Sequence, residues 1–454
     1  MRNMTLENMT AACGGTLTGN AKAAGQEAVD IVIDSRKVVP GAVFIATKGE
    51  RVDGHSFISQ AFEKGAMAVV CEQLPADPAG PCILVKDSFA ALRDLAAFYR
   101  RQFQIPVVGI TGSVGKTSTK ELVASVLAQK YNVLKTDGNF NNQVGLPLTV
   151  FRLRPEHEAA VLEMGIDGFG QMEQLSRIAA PQICVITNIG GCHLEALGDR
   201  NGVLAAKRRI CDDMQPGGLL IANGEDDKLI TIREAGGRAP VRYGYSEACD
   251  IWADQIENLG LKGSRARIHT PAGTIQVEIP LPGVHNVANA MAAAAAGLEL
   301  GLTRDQIAAG AAAVQPVSGR SHLIDTGRLL VIDDCYNANP VSVKAAIDLL
   351  GFAESRKVAI LGDMFELGRE EEELHRQVGS YAAAADIDCL ICIGGLSKLM
   401  YEAAAAGGAN AQYFEKNEDF LAQMKNLVQE GDAVLVKASH GMHFTQIVEA
   451  LQAF

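Results

Sequence analysis

The residues best arranged for chemistry lie in VVGITGSVGKTSTKELV, residues 107–123. An apolar strand runs into a glycine-rich loop, then Gly115-Lys116-Thr117, then a helix. That order suits a nucleotide phosphate chain. Glycines let backbone N–H groups approach phosphate oxygens, and a helix N-terminus adds a partial positive charge. Lys116 is expected to reach the β- and γ-phosphates, and the Thr117 hydroxyl to ligate Mg²⁺. Gly112, Ser113, Gly115, Lys116, Thr117 and Ser118 are therefore candidate ATP-binding residues. The usual spacing of this motif puts a glycine at position 110, where this chain has Ile110, flanked by Gly109 and Gly112. The bland alternative is a helix start that happens to contain Gly-Lys-Thr.

Three further residues could serve the same chemistry. Glu163 ends the apolar run AVLEMG, where a phosphate-loop enzyme places a carboxylate for Mg²⁺. Alone it reads equally as an ordinary strand-end acid. His193, in TNIGGCHLEALG, follows another buried strand, at the edge where open α/β sheets bind ligands. A lone histidine there is more often a surface or capping residue. Lys207, in GVLAAKRRI, cannot ligate magnesium unmodified, because its charge repels the ion; from the residues alone it starts a solvated basic helix face.

The elements that must position these residues read as three α/β domains. Residues 1–104 mix short apolar runs with turns and end in a helical stretch from Phe89 to Phe103; RQFQIP is the expected linker. Residues 105–317 alternate apolar runs with helical segments, which predicts parallel βαβ units and a phosphate-loop ATPase-type sheet. Between Val241 and Pro280 a polar-alternating stretch predicts a small antiparallel insertion, and a helix follows from Asn286 to Leu302. Residues 318–454 hold four buried-strand candidates, LLVIDD, KVAILGD, CLICIGG and AVLVKAS, predicting a Rossmann-like doubly wound domain.

Composition bounds the partners. A net charge of −12, with no basic run longer than Lys207-Arg208-Arg209, argues against nucleic-acid binding. The N-terminal residues show no signal-peptide pattern, and no stretch of about 20 apolar residues predicts a membrane span. The ten cysteines form no disulfide-like framework. Cys389 and Cys392 have CxxC spacing inside DCLICIGG, but residues three apart on a strand point to opposite faces, so no shared metal or disulfide is expected.

The shifted loop TGSVGKTS, with Glu163, His193 and Lys207 downstream, resembles the Mur ligase family. The resemblance covers nearly the whole chain. It implies a carbamylated Lys207, which turns the cation into a carboxylate-like ligand, and two Mg²⁺ ions served by Thr117, Glu163, His193 and Lys207. Lys116, Glu163, His193 and Lys207 become the candidate catalytic residues. DSRKVVPGAVFIA…GERVDGHSF is similar to the UDP-sugar-binding domain, with Ser35 and Arg36 near the diphosphate. GNFNNQVGLPLT is similar to the substrate loop, with Asn142 facing the muramoyl end. PGVHNVANAMAAA resembles the segment whose His285, Asn286 and Asn289 approach adenine, and SGR the hinge whose Arg320 meets the γ-phosphate.

IDDCYNANP and LGDMFELG…ELHRQVG resemble the member that joins D-alanyl-D-alanine to UDP-N-acetylmuramoyl-tripeptide, and no DNPR string of the sister enzyme occurs. This implies Asp334, Tyr336 and Asn339 on the nucleotide and dipeptide side, small-molecule substrates only, and a cytoplasmic monomer. One departure stands out: the family commonly reads VLVKGSR where this chain has VLVKASHGM, so His440 replaces an arginine while Lys437 is kept. The rival readings are a sister ligase, a nucleotide-operated switch and a catalytically dead scaffold.

Overall fold

The computed structural model describes residues 1–19, 25–50 and 52–454. The chain packs as two compact units. The first holds Met1–Asn188, Leu204–Arg242 and Glu299–Gly301; the second holds Ile189–Val203, Tyr243–Leu298 and Leu302–Phe454.

Two sheets build the first unit. Strands β1 (Thr16–Thr18), β2 (Ile31–Val32), β3 (Val43–Ile45), β4 (Ala68–Cys71) and β5 (Cys82–Leu84) form a sheet ordered β1-β5-β4-β3-β2. Only β1 runs antiparallel to its neighbour. Val32, Phe44, Val69, Cys71 and Cys82 pack there with Ile58 and Ala61 of a short helix. The predicted helix after this sheet spans Ser88–Arg100, with Asp87 as its N-cap. The expected linker is tied down. The buried Arg100 guanidinium donates to the carbonyls of Ala179, Phe103 and Ile105. Burial pushes its pKa down to about 10.

The second sheet of this unit carries β6 (Val107–Thr111), β7 (Val133–Lys135), β8 (Ala159–Glu163), β9 (Ile183–Ile186) and β10 (Leu219–Asn223). Their order is β10-β9-β6-β8-β7, and every pair is parallel. β6, β8 and β9 are buried throughout, which is why they read as unbroken apolar runs rather than alternating ones. β6 sits between β8 and β9, so the loop after it leaves the middle of the sheet.

In the second unit the predicted insertion is present. β12 (Ile251–Asn258), β13 (Ser264–Thr270) and β14 (Gly273–Ile279) form an antiparallel meander, and the end of β11 (Val241–Gly244) pairs with β12 in parallel. The helix that follows spans His285–Glu299. The C-terminal sheet has six strands, β15 (His322–Asp325), β16 (Leu330–Asp333), β17 (Lys357–Gly362), β18 (Cys389–Ile393), β19 (Ala411–Phe414) and β20 (Ala433–Lys437), ordered β15-β16-β20-β17-β18-β19. The four expected strands are its centre. The two short edge strands, β15 antiparallel and β19 parallel, complete it. Cys389 lies in the core on one face and Cys392 in the core on the other, so the CxxC spacing joins nothing. Among the described residues, no helix is long and apolar enough to cross a membrane.

Candidate functional site

The loop after β6 is shaped by one close approach. Gly112 has φ +154°, and a Cβ there would fall 1.8 Å from Thr187 Oγ1. Thr187 and Asn188, just past β9, hold the loop: Thr187 Oγ1 and Asn188 Nδ2 donate to the Val114 carbonyl at 2.6 and 3.0 Å. The Val114 N–H returns a 3.0 Å bond to Asn188 Oδ1, and the Ser113 N–H donates to the Asn188 carbonyl. Gly115, at φ +84°, is the N-cap of the helix Lys116–Leu127. Lys116 Nζ folds over the loop onto the Gly112 carbonyl at 2.8 Å. Thr117 is buried on the first turn and Ser118 half-buried beside it. Successive backbone N–H groups in such a turn make an anion-binding concavity.

Glu163 closes β8, one strand over, and is only 2% exposed. Its N–H donates to Thr136 Oγ1 at 3.0 Å, and its Oε1 accepts 2.7 Å from Asn141 Nδ2. Its Oε2 is buried and, among the described residues, has no hydrogen-bond partner. A buried carboxylate oxygen left so is costly unless a cation or donor meets it. The donor set fits a hard divalent cation, which takes carboxylate and hydroxyl oxygens.

Lys207 corrects the reading from residues alone. It ends the helix Arg200–Lys207, yet is 1% exposed, so it is no part of a solvated basic face. A lysine so enclosed needs compensation or modification. In the second unit His193 has a left-handed backbone, φ 52°, and its Nδ1 lies 3.1 Å from Glu366 Oε2. Among the described residues, no three His, Cys, Asp or Glu side chains gather as a metal cluster. The expected donors include a threonine and a modified lysine, so no such cluster was required.

The other residues expected at the site fall into four groups. Ser35 Oγ donates to Gln60 Oε1, and the exposed Arg36 pairs with Asp34, pulling that carboxyl down to about 2. The Asn142 side-chain oxygen accepts the N–H groups of Val144 and Gly145, starting the helix Gly145–Val150. Asn286 donates to the Pro282 carbonyl and accepts from Asn289 at 3.0 Å, both being buried on the first turns of their helix.

The fourth group gathers at the carboxyl ends of β16 and β20. Asp334 Oδ2 takes 2.6 Å from the buried Lys437 Nζ, which also donates to the Asn337 carbonyl. Asp334 Oδ1 accepts the Ser321 N–H. Asp333 accepts Ser318 Oγ and the Gly319 N–H, so adjacent aspartates clamp the turn that carries Arg320. The Arg320 guanidinium lies 3.9 Å over the Tyr336 ring, and His440 packs at 5.5 Å between ring centroids. Asn339 caps the helix Pro340–Leu350 through a reciprocal capping box with Ser342. His375 explains the LGDMFELG…ELHRQVG pattern locally: its Nε2 accepts the Met364 N–H at 3.0 Å, pinning the loop after β17.

Sequence reasoning missed Thr187, Asn188, Asn141, Thr136 and Asp333 as structural partners of the site. Only Asn188 and Asn141 carried any local sign, being asparagines beside glycine-containing turns.

Three family models match the chain. The model of the Mur ligase middle domain matches residues 110–297, that of the Mur ligase glutamate ligase domain residues 319–440, and that of the Mur ligase family catalytic domain residues 29–100. The chain belongs to the Mur ligase family. It is 36% identical over 457 residues to the UDP-N-acetylmuramoyl-tripeptide–D-alanyl-D-alanine ligase of Escherichia coli, covering 100% of this chain and 99% of that one. It is 38% identical to the enzyme of the same name from Bacillus subtilis, with 99% of both covered. Among solved structures, MurF from Acinetobacter baumannii superposes with a TM-score of 0.90 at 34% identity, covering 99% of each chain. MurF ligase from Thermotoga maritima in complex with ADP superposes with a TM-score of 0.81 at 28% identity, covering 93% of this chain and 97% of that one.

Proposed function

We propose that this chain is an ATP-dependent ligase that joins D-alanyl-D-alanine to UDP-N-acetylmuramoyl-tripeptide, giving the UDP-linked pentapeptide of peptidoglycan precursor synthesis. The observation that carries the reading is the loop Gly112–Thr117 at the carboxyl end of β6, one strand from a buried carboxylate with an unpartnered oxygen. The relatives of that name span the whole chain, which supports the choice of substrates.

The tripeptide carboxylate attacks the γ-phosphorus of ATP, releasing ADP and leaving an acyl phosphate. The dipeptide amine then attacks the acyl carbon, phosphate departs, and the amine gives up a proton. Such chemistry needs positioning and charge neutralisation more than a protein nucleophile. Lys116, with Gly112, Ser113 and the N–H groups of Gly115, Thr117 and Ser118, cradles the phosphates, the Ser113 N–H being held by the Asn188 carbonyl. Arg320 serves the γ-phosphate, held flat by Tyr336. Asn286 and Asn289 serve the adenine, and Asp334 the nucleotide. Ser35 and Arg36 serve the uridine diphosphate, Asn142 the muramoyl end, and Tyr336 and Asn339 the dipeptide. Thr117, Glu163, His193 and a carbamylated Lys207 are the donors proposed for two Mg²⁺ ions. When bound, the ions neutralise charge on the phosphates and the acceptor carboxylate.

The proposed domains are 1–104 for the UDP-substrate, 105–317 for ATP, and 318–454 as the Rossmann-like part; the chain works as a cytoplasmic monomer. The test is mass detection of the pentapeptide product from purified protein. Product is expected with ATP, tripeptide and D-alanyl-D-alanine together; its absence, or product with a single amino acid instead, refutes the reading.

A further inference from the structure

Among the described residues, Glu163 is hydrogen-bonded at its carboxylate through Oε1 and not through Oε2. Its main chain is fixed from the core: Thr136 Oγ1 accepts its N–H, and the buried Lys120 donates to the Thr136 carbonyl at 2.7 Å while pairing with Glu121 at 2.9 Å. The aim of its carboxylate is set elsewhere. That group accepts a hydrogen bond from Asn141, in the loop between β7 and the helix Gly145–Val150. Asn141 is tied a second time, because its carbonyl accepts the Gly165 N–H at 2.9 Å. The fit leaves no slack, since a Cβ on Gly165 would come within 3.0 Å of the Asn141 side-chain oxygen. The neighbouring Phe140 is 44% exposed, so this loop meets solvent while its next residue grips a buried carboxylate. A shift of the loop therefore turns Glu163 Oε2.

We infer that Asn141 is a positioning residue that couples the seating of the loop before the helix Gly145–Val150 to the cation affinity of Glu163. Whatever seats the loop sharpens the aim of Oε2, and a cation on Oε2 in turn holds the loop, because such coupling is reciprocal. The identity of the loop's ligand, the muramoyl tripeptide, rests on the ligase reading above; the Asn141–Glu163 link does not.

The test titrates Mn²⁺ into the full chain holding the β,γ-methylene analogue of ATP, and follows free Mn²⁺ by electron paramagnetic resonance. Loss of a residue that orients a metal ligand typically weakens affinity by about 10–100-fold, and Asn141→Ala is expected in that range with an unchanged melting curve. Added tripeptide tightens Mn²⁺ binding several-fold in the unaltered protein and has no effect in Asn141→Ala. If the alanine variant melts early, Asn141→Ser carries the same expectation. In a Glu163→Gln background Asn141→Ala adds no further loss. Wild-type Mn²⁺ affinity in Asn141→Ala, a persisting tripeptide effect, or a further loss on top of Glu163→Gln each overturns the inference. If no pentapeptide forms but Asn141→Ala still weakens Mn²⁺, the ligase reading falls and the positioning role stands.

Discussion

Gly112→Ala is the sharpest perturbation the phosphate loop offers. The new Cβ would sit 1.8 Å from Thr187 Oγ1, far inside the roughly 3.5 Å of an unstrained contact. The hydroxyl cannot simply rotate without loss, because it donates to the Val114 carbonyl at 2.6 Å and so shapes the loop. Either β6 or the start of the segment after β9 must move by more than 1 Å, and a misplacement of about that size can cost 100-fold in rate. The φ of +154° adds strain of about 1–3 kcal/mol for a residue with a Cβ. Together these predict an ATP affinity and a turnover each lowered by about 100-fold or more. Thr187→Ala relieves the clash, since the next nearest side-chain atom is Thr187 Cβ at 3.1 Å, and Asn188 Nδ2 still donates to Val114. The double variant is therefore expected to recover part of the nucleotide affinity, leaving the backbone strain. Calorimetric titration of ATP into the four proteins of this cycle reads the effect. ATP binding within twofold of wild type in Gly112→Ala, or strict additivity in the double variant, refutes the reasoning.

Glu163→Gln removes a buried charge with an unpartnered oxygen, so turnover should collapse while thermal stability holds or rises; a lowered melting temperature with normal turnover would contradict it. Lys437→Met strands the Asp334 carboxylate, and breaking a buried pair costs about 3–5 kcal/mol. The matching Asp334→Asn/Lys437→Met protein should regain part of that in urea unfolding. Lys207→Ala should lose turnover and recover some of it with a small added carboxylate; full activity without rescue excludes the carbamate. Arg36→Ala should raise the Asp34 carboxyl part of the way back, since the backbone N–H of residue 36 still donates to it, seen by NMR titration. Because that pKa is depressed in the folded chain, the pair's stabilisation is present above the unfolded value near 3.8 and fades as pH falls toward 2.

Much of this site was legible because its parts are local in sequence. The glycine-rich loop follows a buried strand directly, and Glu163 ends another buried run, although β7, which the sequence did not mark, lies between the two in the chain. The central strands were legible for the same reason, being buried on both faces, whereas β15 and β19 are short edge strands with partly exposed patterns. What escaped were contacts made across long sequence separations. Thr187 meets Gly112 only because β9 and β6 are neighbours, and Asn141 meets Glu163 through a turn that no periodicity marks. Lys207 failed in the other direction: KRR reads as a solvated run, while its position on the helix buries only the first of the three. Asn142 and Asn339 show the limit of residue type as a guide, since both spend their side-chain oxygens on helix starts.

Phosphate release from ATP, measured with the tripeptide and D-alanyl-D-alanine added separately and together, separates a ligase from a nucleotide-operated switch. Ligase chemistry gives sustained release only with both, in step with formation of the UDP-linked pentapeptide. Sustained release with neither present, or release that ignores the dipeptide, would contradict it and turn the phosphate loop into the motor of a nucleotide-operated switch.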